Sequence, residues 1–257
     1  MGRIASAFRR LGKINEAALV PHLTVGYPSL DITRQLVPIM ARQGADIIGI
    51  GIPTHGAPGY DISHNISGDI MIEQCLSLAT EARRANEIPL LFVISRASIV
   101  QYGPYRFAVD CAASGVDGFV VPDLLTTDAA EFKEASESSG IDLILRITPA
   151  NADSWFEVVA ELASGFVYCV SDPGAAEEIE STAELVARVR LHTDLPLVVD
   201  SGISTQAEVA IAAMFAEGVA ISTAITELIQ SVPEEDVMLD VAGLVRELKE
   251  ATAKQAN

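Results

Sequence analysis

Eight short apolar runs recur along the chain with turns between them, and this recurrence constrains the fold more than any other feature. They are ALVPHLTV (18–25), ADIIGIGI (45–52), PLLFVIS (89–95), DGFVVP (117–122), IDLILRI (141–147), GFVYCV (165–170), LPLVVD (195–200) and EGVAIS (217–222). Each is rich in aliphatic and β-branched side chains, as a parallel strand buried on both faces should be. Segments of helical spacing separate them. LDITRQLVPIMARQG stops at Gly44, and DIMIEQCLSLATEARRAN carries apolar residues at helical intervals. TTDAAEFKEASESSG opens on Thr and Asp cap candidates and stops at Gly140, and STQAEVAIAAMFAEG does likewise. Eight strands alternating with helices, at about 25–30 residues a unit, specify a closed (β/α)8 barrel. An open doubly wound sheet would need a glycine-rich phosphate turn after the first strand, where GYPSL stands instead. The opening MGRIASAFRRLGK adds an amphipathic N-terminal helix ahead of the barrel.

A chain of 257 residues, 49% of them hydrophobic, can bury one large core, so residues 1–257 are read as one domain. The net charge of −18 repels nucleic acid and anionic membranes, and neither is expected as a partner. Cys75, Cys111 and Cys169 are odd in number and widely spaced. They read as buried thiols in a reducing compartment, and a cytoplasmic location is expected. No apolar run approaches the ~18 residues of a membrane span, and the opening stretch lacks the apolar centre of a signal peptide. It also matches the short M-G-x-x-x-[ST] lipidation pattern, for which the amphipathic helix is the preferred reading.

In such a barrel the chemistry sits at the C-terminal ends of the strands. The candidates there are His22, Thr24, the segment 49–64, Ser95, Arg96, Asp123, Arg146, Tyr168, Ser171, Asp172, Asp200, Ser201, Ser222 and Thr223. By strand parity Val20, His22 and Thr24 share one face, and Gly49 and Gly51 share another. The two glycines either hollow out the barrel mouth or relieve packing for a bulky neighbour. His22 is that neighbour. Its imidazole, ordinarily near about pKa 6.5, is a natural proton carrier, and a core histidine hydrogen-bonded to backbone is the structural alternative. Asp123 either moves protons or caps the next helix. Arg146 and Arg96 would bind a carboxylate or phosphate if they point inward, and otherwise extend to the surface. Lys13, Lys133, Lys249 and Lys254 all lie outside the strand runs, which excludes a barrel-lining Schiff base. His55 and His64 join His22 without compact ligand spacing, so neither metal nor cofactor is expected.

In series, PHLTVGYPS, GADIIGIGIP, YGPYRFAVDCAASGVDGFVVPDL, ITPANAD, GFVYCVS, SGIST and EGVAISTAI resemble the tryptophan synthase α chain family along nearly the whole chain, GVDGFVVPDL being the most specific stretch. The resemblance implies a TIM barrel that cleaves indole-3-glycerol phosphate to indole and glyceraldehyde 3-phosphate and passes indole to a pyridoxal-phosphate-bearing β chain. It implies a retro-aldol cleavage by acid–base catalysis, without metal or Schiff base. It places the family's strand-2 catalytic Glu on Gly49, its catalytic loop Asp at or beside Tyr60 with Asp61 one residue on, and another loop Asp on Gly56. Tyr168 matches a Tyr bordering the indole pocket, and Arg146 replaces an apolar residue. The family holds its substrate's phosphate on turns after strands 7 and 8 and on a glycine after strand 6. Here Gly202 remains and Ser222 and Thr223 stand at the strand-8 turn, but Asp200 and Glu177 fall on family glycines.

Three functional readings follow. The preferred one is a diverged enzyme with a small-molecule site at the barrel mouth. In it His22, Asp61 and Asp123 carry the chemistry, with Asp200 as a further acid. Gly49, Gly51, Tyr60, Arg146, Tyr168, Asp200, Gly202, Ser222 and Thr223 line the site, and its ligand is not held by a phosphate in the family's usual place. The second is an authentic α chain using substitute acids. The third is a non-catalytic regulator. A β-chain-like protein or a second copy of the chain is the expected protein partner.

Overall fold

The computed structural model describes residues 2–53, 70–171 and 178–254. Every apolar run contains a strand: β1 (Ala18–Thr24), β2 (Ile48–Gly51), β3 (Leu90–Val93), β4 (Gly118–Val120), β5 (Asp142–Ile147), β6 (Val167–Val170), β7 (Leu197–Asp200) and β8 (Gly218–Ile221). All pair in parallel and in chain order, and β8 closes on β1, giving a complete (β/α)8 barrel with no sheet edge. The open-sheet alternative is thereby excluded. The helices are α1 (Arg3–Lys13), α2 (Leu30–Arg42), α3 (Ile72–Ala85), α4 (Arg96–Tyr102), α5 (Pro104–Ala113), α6 (Ala129–Ser139), α7 (Ala152–Leu162), α8 (Glu178–Val189), α9 (Gln206–Phe215), α10 (Thr223–Ser231) and α11 (Val237–Glu250).

Local chemistry sets the helix ends. Thr205 and Glu208 form a reciprocal capping box at the start of α9. Gly140 ends α6 with φ +71°, a left-handed turn that glycine adopts at no steric cost. Asp128 departs from expectation. It precedes α6 but does not cap it, because its carboxylate is held by the Arg96 guanidinium.

Strand parity divides the core in two. Outward residues such as Leu19, Ile50, Phe92 and Cys169 pack under the helices. Inward residues such as Val20, Leu91, Ile144 and Phe166 fill the barrel, and Ile4, Phe8 and Leu11 of α1 close it from below. Phe8 meets Phe166 edge-on with ring centres 5.7 Å apart. Beside this floor Asp46 is buried, accepting from the Leu19 N–H at 3.0 Å and pairing with Arg10 and Lys249. All three thiols are free and buried, and burial pushes Cys75 and Cys169 up to about 12 and Cys111 further in the same direction. They are inert as nucleophiles there. Among the described residues no helix is long and apolar enough to cross a membrane.

Candidate active site

The barrel interior is apolar near α1 and becomes polar toward the strand C-termini, where His22, Arg146, Tyr168 and Asp200 stand on inward positions of β1, β5, β6 and β7. Register sets their heights. His22 lies opposite Gly49, Arg146 opposite Tyr168, and Val170 opposite Asp200. Three of these groups form one hydrogen-bonded relay. The Tyr168 hydroxyl is 2.9 Å from His22 Nε2, and it also hydrogen-bonds the Asp200 carboxylate. A phenol has one proton to give. If the phenol gives that proton to Asp200, His22 donates from Nε2 and keeps its lone pair on Nδ1. The far side of Asp200 accepts from the Ser222 hydroxyl at 2.8 Å and from the Gly202 N–H.

The glycine at position 49 is explained by contact. A Cβ placed there would lie 2.4 Å from His22 Cε1, 2.5 Å from Nδ1 and 2.6 Å from Nε2. The imidazole therefore occupies the volume that any side chain at 49 would need. Of the two alternatives, this contact fits packing relief for His22 rather than a hollowed mouth: the missing side chain is a seat, and it is taken. Gly51 is similarly close-fitting, with Thr24 Oγ1 3.2 Å from the equivalent point.

Burial assigns the proton chemistry differently from the sequence reading. His22 is 6% exposed, and desolvation lowers its pKa to about 4. It is a neutral hydrogen-bonding ring at pH 7 rather than a proton carrier titrating near neutrality. Asp200 is also 6% exposed. Burial raises it to about 6, against the opposing pull of the Ser222 hydroxyl, the Arg146 charge, the Gly202 N–H and Tyr168. A carboxyl poised there exchanges protons near neutrality, which suits a general acid or base. The sequence reading offers Asp200 as a further acid, but its raised pKa is not legible there, because strand parity shows direction and not depth of burial.

Other candidates divide. Asp123 accepts from the Arg96 backbone N–H at 2.7 Å, at the first residue of α4. It ties the β4 turn back to the start of the earlier helix α4 rather than capping the next helix α6, which differs from both alternatives read from the sequence. Arg96 pairs with Asp128 rather than facing the interior. Ser201 turns toward Thr182, its hydroxyl 2.6 Å away. Thr223 begins α10 with an exposed side chain, and Gly202 supplies a φ of +65° after β7. His55, Gly56, Tyr60, Asp61, His64, Asp172 and Glu177 lie outside the described residues.

Comparison with known proteins agrees over the full length. The family model for the tryptophan synthase alpha chain matches residues 8–253. The tryptophan synthase alpha chain of Geotalea uraniireducens is 34% identical, over 97% of this chain and 97% of its own. That of Chloroflexus aurantiacus is 34% identical, over 99% and 100%. A solved tryptophan synthase from Mycobacterium tuberculosis superposes with a TM-score of 0.89 at 25% identity, covering 99% of both chains. An Aquifex aeolicus structure superposes with a TM-score of 0.87 at 28% identity, over 99% of this chain and all of its own. With a closed eight-stranded barrel, this polar mouth and a family match running almost end to end, the chain belongs to the tryptophan synthase alpha chain family.

Proposed function

We propose that this chain is an α-type barrel whose mouth no longer cleaves indole-3-glycerol phosphate in the family's way and instead serves another small molecule. The observation that carries the reading is the His22 ring standing in the side-chain volume of residue 49, where the family resemblance places the catalytic Glu. Glycine has no proton to move, and the space for a carboxylate there is filled. Asp200 supports the same conclusion. The Ser222 hydroxyl and the Gly202 N–H would otherwise be available to an anion after β7 and β8, and both donate to Asp200. A substrate phosphate brought there would face a carboxylate, a repulsion of about 3–4 kcal/mol at 4–6 Å in a medium of effective dielectric near 20. The buried Asp200, supported by Tyr168 and His22, is the acid–base group that this mouth offers instead.

The test is indole release from indole-3-glycerol phosphate by the purified chain, alone and with a β chain. The expected rate is lower than that of a family enzyme by about 10²–10⁴ or more, the usual loss when a positioned acid or base is removed. Gly49→Glu alone should restore nothing, since its side chain would meet the imidazole. Turnover at an ordinary family rate would overturn the proposal. A β-chain-like protein remains the partner under this reading. Val100, Tyr105 and Leu125 follow β3 and β4 in the chain and are between 44% and 51% exposed, and these are the apolar side chains we assign to its docking.

A further inference from the structure

Arg146 is a charged residue that the relay does not use. Its β5 neighbour at i−2, Ile144, belongs to the inward cluster, so Arg146 projects into the barrel beside Tyr168. Its Nε is buried and has no hydrogen-bond partner among the described residues. Arginine offers donors only, so nothing but an acceptor can satisfy it, and an unmet buried N–H opposes folding. Asp200 feels the charge of Arg146, but its own hydrogen bonds go to Ser222, Gly202 and Tyr168. The Ser222 hydroxyl after β8 is therefore committed, and Arg146 Nε, on β5 two strands from Asp200, has no such commitment among the described residues.

We propose that Arg146 is the anion receptor of the mouth and that the ligand it receives carries a carboxylate. This deepens, and rests on, the reading that the mouth holds a small-molecule site. One guanidinium matches the single charge and planar fork of a carboxylate through two parallel N–H···O bonds. A phosphate would bring further negative charge toward Asp200 for the same lone cation. A lysine would supply charge without the fork, and the aliphatic residue that the family resemblance places here would supply neither.

The experiment titrates the full chain with three matched probes, benzoate, benzamide and phenyl phosphate, by calorimetry. Wild type, Arg146→Met and Arg146→Lys are compared, with thermal melts to show that each variant folds. Benzoate should bind about tenfold or more tightly than neutral benzamide, as a charge-assisted hydrogen-bond pair implies. Arg146→Met should erase that preference and Arg146→Lys should retain part of it. A crystal grown with benzoate should place its carboxylate on Arg146 Nε. Equal binding of benzoate and benzamide, or a preference that survives Arg146→Met, would overturn the assignment while leaving a mouth site standing. Tighter, Arg146-dependent binding of phenyl phosphate would overturn the choice of carboxylate. Failure of all three to saturate by about 50 mM would remove the small-molecule site as well. Rapid indole release would sink the earlier reading of the reaction without touching this binding result.

Discussion

His22 and Asp200 shift in opposite directions, and their effects on stability oppose each other. Folding lowers His22 from 6.5 to about 4, so the unfolded chain binds its proton first and stability falls as pH drops through that interval. Folding raises Asp200 from 3.8 to about 6, so the folded chain binds its proton first and stability rises as pH drops from 6 toward 3.8. Each effect is worth about 3 kcal/mol at 1.36 kcal/mol per pKa unit. Between pH 4 and 6 they cancel, and wild type should draw almost no pH dependence from this pair. Asp200→Asn should uncover the histidine: relative to wild type it should lose about 3 kcal/mol on going from pH 6.5 to 4. Urea unfolding at several pH values measures this. A flat profile for Asp200→Asn would show that His22 is not held neutral in the folded state, and parallel profiles for the two proteins would show that folding does not raise Asp200.

Among the elements, α1 closes one end of the barrel with three side chains. Ile4, Phe8 and Leu11 recur at helical spacing and seal the barrel from below, with Phe8 against Phe166. Phe8→Ala should therefore cost about 3 kcal/mol or more in urea unfolding. Loss of the α9 cap in Thr205→Ala should cost only about 1 kcal/mol. Since Phe8 lies at the end opposite the mouth, benzoate affinity should not change in the folded variant. A cost for Phe8→Ala no larger than that of the cap would deny α1 its role as floor. These elements were legible in the sequence because their signals are local. Apolar runs gave all eight strands, and the spacing of Ile4, Phe8 and Leu11 gave the first helix. Parity set Tyr168 facing in and Cys169 facing out, as the structure has them. What was not legible depends on partners distant in the chain. The cap expected of Asp128 was lost to Arg96, 32 positions earlier. The protonation of His22 was misjudged because depth of burial belongs to the whole barrel.

At the scale of the molecule, two ends carry two kinds of work. Arg10, Asp46, Lys249 and the α1 side chains consolidate the lower end, while the upper end holds the relay and Arg146 with its unpartnered Nε. If the exposed Val100, Tyr105 and Leu125 dock a β chain, Tyr105→Glu with Leu125→Asp should weaken the complex about tenfold or more in analytical ultracentrifugation, with melting temperature little changed. Undiminished binding by the double variant would move the interface elsewhere. The seating of His22 over Gly49 reaches further, into the order in which the two positions can be exchanged. A side chain at 49 and the imidazole in its present pose exclude one another, so neither position can be changed without regard to the other. The two positions behave as a ratchet. A variant that enlarges residue 49 must first dislodge the ring and give up its hydrogen bond with Tyr168.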